Sequence, residues 1–399
     1  TELGADAVTA AKIGDDVIDS EHYAAGSIDA AHLADDAVTI AKMAALARGK
    51  IIVGDASGAP SALALGSNDY VLTSDGTDIA WEAAGGVSAL DGLSDAKSGG
   101  TDFTNSLIIG HQTTGTLDAA TGNTGVGIGT LDALTTGDDN TAIGYDAATL
   151  TTTGAGNTAI GRKALKDNST GNYNTAVGYN ALYNNEDSVN NTAVGYQALT
   201  YNDSGTTTSN NTAVGFKALY ANLTGANNVA VGMNALTANT VGTLNTAVGT
   251  YAMETNVDGS RNAAFGYGAL RTFDPSSATD TYNTGLGYAA GSSMTTGTLN
   301  TAVGGNTMAA TTTGGNNTAV GALALDANTT ASNNVAVGSY AMSANTTGTR
   351  NVAVGRGALD ANTTANDNTA VGYNAVGANI DGASNTGIGA SALLVLTSG

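Results

Sequence analysis

The chain has 399 residues, with 55 Gly, 2 Pro and no Cys; only 12% are charged, and the formal net charge is −21. Such a surface repels nucleic acid and anionic membranes, so neither is expected as a partner, and the lack of Cys fits any redox compartment. High Gly with low charge also marks disordered chains, and only a regular apolar register separates a repeat fold from that class.

Residues 1–45 carry a ten-residue repeat. Val8, Ile18, Ile28 and Val38 align, as do Ile13, Tyr23, Leu33 and Met43, with Lys12, His22, His32 and Lys42 in a third column. Two apolar residues per decad are too few for a core within one chain, so an N-terminal stalk that self-associates along an axis is expected. Residues 46–86 lose that period and read as a small β module. Its strand-like runs are Ile51-Ile-Val53, Tyr70-Val-Leu-Thr73 and Ile79-Ala-Trp81, separated by Asp55-Ala-Ser-Gly58 and Ser74-Asp-Gly-Thr77. Residues 87–105 form a Gly/Ser-rich connector with Leu90 and Leu93 as docking residues.

From Ser106 a 17-residue unit takes over, typified by Asn174-Thr-Ala-Val-Gly178 and Tyr179-Asn-Ala181-Leu182. Seventeen copies begin at 106, 123, 140, 157, 174, 191, 211, 228, 245, 262, 283, 300, 317, 334, 351, 368 and 385. Fourteen of the sixteen intervals are 17 residues; the others are 20, from Asn191 to Asn211, and 21, from Asn262 to Asn283. A period held this tightly means stacked repeats. The expected fold is all-β: an elongated trimeric β-solenoid or β-roll of 17-residue repeats over 106–399, preceded by the decad stalk and the small β module.

Within the unit, the fourth residue (Val177) is aliphatic or Phe in every copy and reads as a buried strand residue. The fifth (Gly178) is Gly in all seventeen and reads as a corner that re-aims the next side chain, Tyr179, outward. Alternation puts Thr and Val on one strand face and Ala and Gly on the other, where a second backbone can approach closely. Ala181-Leu182 gives a second apolar segment before a Thr/Asn/Gly-rich run closes the coil. Asn opens sixteen of the seventeen copies; it tolerates left-handed backbone and forms amide ladders when coils stack. One coil buries two or three aliphatic side chains, roughly 5 kcal/mol, against an ordering cost of about 1–2 kcal/mol per residue, so coils are stable only as a stack.

The decads ending Asp35-Asp-Ala-Val-Thr-Ile-Ala-Lys42, the stretches Ala47-Arg-Gly-Lys-Ile-Ile-Val-Gly54 and Leu72-Thr-Ser-Asp-Gly-Thr-Asp78, the connector Leu93-Ser-Asp-Ala-Lys-Ser-Gly99 and the NTAVG-type array together resemble tail fibres of marine bacteriophages. The resemblance implies a homotrimer located in the virion tail, joined to the tail or baseplate at its N-terminal side, with a host surface glycan or protein as receptor. The NTAVG-type repeat is also similar to the heads of trimeric autotransporter adhesins, which leaves a bacterial surface adhesin or extracellular filament as the alternative. Related fibres carry a self-cleaving C-terminal chaperone absent from this sequence, so a processed or partial product is expected.

No nucleophile triad, phosphate loop or zinc spacing occurs, so no enzyme, catalytic residue, cofactor or metal site is expected, and a polysaccharide-depolymerising tailspike is disfavoured. His22, His32 and His111 are the only histidines, and His22 and His32, in the column of Lys12 and Lys42, read as solvent-facing; Asp15-Asp16, Asp35-Asp36, Asp138-Asp139 and Glu186-Asp187 read as solvated turns. No apolar run exceeds a handful of residues, as at Leu393–Leu396, so no bilayer-spanning helix is expected. Thr at the second place in twelve copies raises an ice-binding ladder as a minor reading, and exposed Tyr of the array raises sugar stacking. Receptor contact is expected where the period breaks. The two insertions follow Leu199 and Leu270, leave one edge roughly 19 Å apart, and carry Tyr201, Asn202, Asp203, Phe273, Asp274, Pro275 and Tyr282.

Overall fold

The computed structural model describes residues 51–54, 60–63, 70–74, 79–83, 96–98, 106–109, 118–202, 209–275 and 277–394. The ten-residue repeats, Leu90, Leu93 and all three histidines lie outside these residues. The chain divides into two compact units, residues 1–86 and 87–399.

The first unit contains two antiparallel hairpins. Strand β1 (Ile51–Gly54) pairs with β2 (Pro60–Leu63), and β3 (Tyr70–Ser74) pairs with β4 (Ile79–Ala83), setting Leu72 opposite Trp81. The strand at Pro60–Leu63 is not legible in the sequence, because an opening Pro demotes a run that Ser and Ala do not rescue.

The second unit is a parallel β-solenoid. Seventeen strands of three residues run from β6 (Leu107–Ile109) to β22 (Thr386–Ile388), one per repeat, and bond in register to their sequence neighbours, as in Thr175–Thr192, Ala176–Ala193 and Val177–Val194. Among the described residues there is no helix. The connector supplies β5 (Ala96–Ser98), which pairs antiparallel with β6 and covers the edge that the first coil would otherwise present.

The strand's fourth-place residue faces outward, which corrects the expectation that it is the buried one. Ala176 between Thr175 and Val177 is fully buried, and the same third place is buried in every strand, whereas Val194 is 36% exposed and Leu286 47%. The reason is the thinness of the coil. A Cβ added at Gly125 would meet Ile108 Cγ1 of the preceding coil and Thr130 Oγ1 of its own at 3.2 Å, and one at Gly285 would meet Leu270 Cγ at 3.0 Å, so with one exception the inner face holds nothing larger than Ala. Ile108 is the one large residue at this place, and Gly125 stands on the coil above it. Ala181 and Leu182 at the eighth and ninth places are fully buried and complete the apolar part of the interior.

The Gly corner is as expected. Gly178 has φ +138° and Gly215 φ +133°, a region that a side chain rarely enters, and a Cβ on Gly215 would lie 2.7 Å from the backbone C and O of Gly232 in the next coil. Three further places per coil hold positive φ without needing Gly. In the typical coil they are Asn180 (53°), Leu182 (50°) and Asn190 (59°). Left-handed Leu is unfavourable by about 1–2 kcal/mol, and here the stack sustains it. Alternating handedness turns successive amides to opposite neighbours: Asn180 N–H donates to Arg162 O of the preceding coil at 3.1 Å, and Leu182 N–H to Ala198 O of the following coil at 3.1 Å.

Two columns of buried Asn fill the rest of the interior. At the first place, Asn174 N–H donates to Asn157 Oδ1 (2.9 Å) and Asn174 Nδ2 to Ser188 O (2.8 Å), so each amide links its coil to the one before and closes its own turn. The second column, at the twelfth place, went unread in the sequence. Asn185 Nδ2 reaches Asn168 Oδ1 (2.9 Å) and Ser188 O (2.9 Å), and Asn202, Asn222 and Asn239 continue the series. Leu134 and Thr151 precede the series, and it breaks again at Phe273, Met294 and Thr311, all fully buried; Asn256 Oδ1 below Phe273 is a buried acceptor without a partner.

Two substitutions test this interior. Gly215→Val is expected to lower stability by about 3 kcal/mol or more, through combined φ strain and collision with Gly232, read as a fall in melting temperature. Asn239→Leu, with the same branching but bulkier methyl groups, removes the donor to Asn222 Oδ1, one of the two donors to Gly242 O and the acceptor of Asn256 Nδ2, and is expected to cost about 2–4 kcal/mol in denaturant unfolding.

Candidate receptor-contact surfaces

Both insertions begin only after the twelfth place, three residues beyond the expected Leu199 and Leu270, because that place is still an interior column. Asn202 and Phe273 occupy it and are fully buried, so neither is available to a receptor; this corrects two of the expected contacts. Asn202 Nδ2 donates to Asn185 Oδ1 (2.7 Å) and Ser209 Oγ (3.2 Å), and Oδ1 accepts from Asn222 Nδ2 (2.9 Å). Pro275 is buried as well, and Asp203 lies outside the described residues.

Tyr201, Asp274 and Tyr282 are at the surface. Tyr201 packs edge-on against Tyr220, with ring centroids 5.2 Å apart. Asp274 is half-buried and its Oδ1 accepts from Val257 N–H (3.2 Å); burial pushes its carboxyl above the usual range, with that hydrogen bond opposing and the Asp258 charge adding. Tyr282, 50% exposed, donates from its hydroxyl to Asp280 Oδ2 (3.4 Å) and lies under the Arg261 guanidinium at 5.8 Å, while Arg261 Nε meets the same Asp280 oxygen at 2.9 Å. Tyr201 and Tyr282 sit on coils four steps apart, roughly 19 Å at the usual strand spacing.

The sixth-place column, beyond the Gly corner, is the other exposed feature. Tyr179, Tyr196 and Phe216 stack with centroids 5.2 and 5.4 Å apart and planes within 11°, and Tyr267 stacks on Tyr288 at 5.4 Å. Arg162 lies 5.6 Å from both Tyr145 and Tyr179 and carries the column across a missing ring. Stacked faces cover one another, so the column turns mainly ring edges and hydroxyls outward, a poor platform for the face of a sugar.

Of the residues expected to define the repeat, Asn174, Ala181 and Leu182 are interior, Gly178 is the corner, and Val177 is on the outer strand face. Asp138 of the expected acidic turns is spent within the stack: its Oδ1 accepts from Thr121 N–H (2.7 Å) and Oγ1 (3.0 Å). Among the described residues no group of three or more His, Asp or Glu is placed to hold a metal ion, and no helix is long and apolar enough to cross a membrane. Comparison with protein-family models, with curated proteins and with solved structures finds no match.

Asp326 offers a pH test of the coil surface. Its Oδ1 is buried without a partner, and burial raises its pKa against the pull of its own and Ala327's N–H. A raised carboxyl weakens the fold once pH exceeds the unfolded value, and the penalty disappears as pH falls through that window. Asp326→Asn is therefore expected to melt higher than the parent at pH 7, with the difference vanishing below about pH 3.9.

Proposed function

We propose that this protein is a non-enzymatic structural fibre, the homotrimeric shaft of a bacteriophage tail fibre that presents receptor-contact surfaces to a host cell. The observation that carries the reading is the outer face of the strand ladder. On seventeen successive strands it shows Thr or Val at the second place in most copies and Val, Ile, Leu or Phe at the fourth. At roughly 4.8 Å per coil and about 10 Å of strand, this face covers on the order of 800 Å² per chain. About half of that is the fourth-place apolar column and the rest mostly Thr, and together they match one partner's share of a standard interface, about 800 Å².

Three copies turning this face toward a shared axis would cover it, leaving the aromatic column and the insertions on the outside. The resemblance of the whole chain to marine phage fibres supports placing the N-terminal side at the tail or baseplate and the array toward a host surface glycan or protein. A net charge of −21 keeps such rods from associating sideways once the apolar face is covered.

Light scattering of the purified protein is expected to give a mass three times that of one chain, and Val194→Asp with Val214→Asp to shift it toward the monomer, because two charges per chain would be buried in the interface. A parent mass equal to one chain would overturn the trimer. Rods seen on phage tails after immunogold labelling would place the protein in the virion; labelling of cell surfaces alone would remove the phage assignment.

A further inference from the structure

We infer that the second insertion builds a binding cleft for a neutral oligosaccharide on the flank of the solenoid, an inference that rests on the receptor-presenting role proposed above and names the ligand class for it. The cleft has a volume of about 520 Å³ and is lined by Val241, Thr243, Ser260, Ala278, Thr279 and Asp280. Two of its walls come from successive coils. Val241 and Thr243 belong to the coil that begins at Asn228, and Ser260 to the next. The third wall is the insertion, which folds back onto the ladder: Ser260 N–H donates to Thr279 O (2.9 Å), Thr281 N–H donates to Ser260 O (3.1 Å), and Ser260 and Asp280 form a parallel bridge. The wall is thus fixed to the stack by backbone hydrogen bonds.

The lining matches the two-sided chemistry of a hexose. A hexose ring offers an apolar C–H surface and a rim of hydroxyls that both donate and accept. Val241 and Ala278 supply the apolar part of the lining. Thr243, Ser260 and Thr279 supply hydroxyls, with Thr243 Oγ1 and Ser260 Oγ already 3.3 Å apart. The Asp280 carboxylate accepts from vicinal hydroxyls, and its position is held by Arg261 at 2.9 Å and Tyr282 at 3.4 Å. Asp280, the one charged residue of the lining, is paired with Arg261, which favours a neutral ligand over a basic one, and the neighbouring Asp258 disfavours an acidic one. The volume lies within the usual range for small-ligand sites, about 300–1,000 Å³, and the cleft is open to solvent along one side, as a chain of sugars would require.

The surroundings change character here too. In coils further along, the thirteenth and fourteenth places read Thr-Thr, as in Thr312-Thr313, Thr329-Thr330 and Thr346-Thr347; beside the cleft they read Thr240-Val241 and Val257-Asp258. Leu244, 44% exposed, stands in the same column as Arg261 and Tyr282. Apolar and acidic residues therefore replace Thr beneath the one overhanging insertion described by the structure.

The test uses the full-length protein with methyl-labelled Ala and Val and a panel of lactose, maltose and chitobiose, at concentrations up to 10 mM in methyl NMR titrations. Saturable shifts at Val241 and Ala278 with at least one disaccharide are expected. Ala278→Leu, which fills the cleft from an exposed loop, and Asp280→Asn, which removes the charged acceptor, are each expected to weaken that binding at least tenfold with melting temperature unchanged. No saturable shift with any of the three sugars, or equal affinity in both variants, overturns the site. Glucuronic acid binding more tightly than the neutral sugars overturns the ligand class. Light-scattering mass, measured on the same samples, reports separately on the fibre reading, which survives loss of the cleft.

Discussion

Coil-on-coil hydrogen bonding, repeated at the spacing of β-strands, is the constraint from which the rest of the array follows. Each coil leaves nearly all of its backbone donors and acceptors to be satisfied by the coils on either side, not only along Thr175–Val177 but around the turn through Asn180, Leu182 and Asn184. Two backbones held this close leave no room for a side chain between them. Hence Gly at the corner, where Gly215 faces Gly232, and Ala on the inner strand face. The same constraint explains why Leu182 accepts a left-handed backbone: relaxing it would orphan one amide and misdirect the next.

The interior that results is narrow and unusually polar. An aliphatic core would need breadth to separate methyl groups from water, and the coil has width for one Leu and two Ala per turn. Asn solves a different problem in the space left over. Its side chain resembles a peptide group, so a column of Asn174, Asn191 and their equivalents adds a further hydrogen-bonded ladder inside the fold, parallel to the backbone ladders around it. Where Phe273 and Met294 interrupt the twelfth-place column, apolar volume replaces amide pairing and leaves Asn256 Oδ1 unpaired. Apolar residues displaced from this interior go to the outside of the strands, where Val194 and Leu286 stand exposed.

The period, the strand at Thr175–Val177, the Gly corner and the outward turn of Tyr196 were all legible in the sequence, because each follows from spacing and from what a missing Cβ allows. The direction of Val177 was not. Alternation establishes that Ala176 and Val177 face opposite ways without saying which way is in, and the ordinary preference for burying the larger residue gives the wrong answer when the coil is too thin for it. The same error of habit placed Asn202 and Phe273 on the surface: next to an irregular spacing they read as loop residues, whereas the chain keeps to the common path until the twelfth place. Asn168, Asn185, Asn222 and Asn239 recur at that place and are the sequence signal of the second ladder, fainter than the strand because the Thr/Asn/Gly-rich closing run around them varies.

The near-identity of the coils has a kinetic side. A solenoid whose turns are interchangeable presents the growing stack with many almost equivalent partners, and a coil that docks one full repeat out of place satisfies nearly every hydrogen bond it would make at home. Spacing alone therefore cannot specify register during assembly. The irregular coils can: Ile108 fits only beside Gly125, Phe273 and Met294 cannot take an Asn rung, and the coils after Asn191 and Asn262 are longer than their neighbours. These departures act as address marks along an otherwise uniform rod, dividing it into segments short enough for a slipped pairing to be rejected before the next turn locks it in.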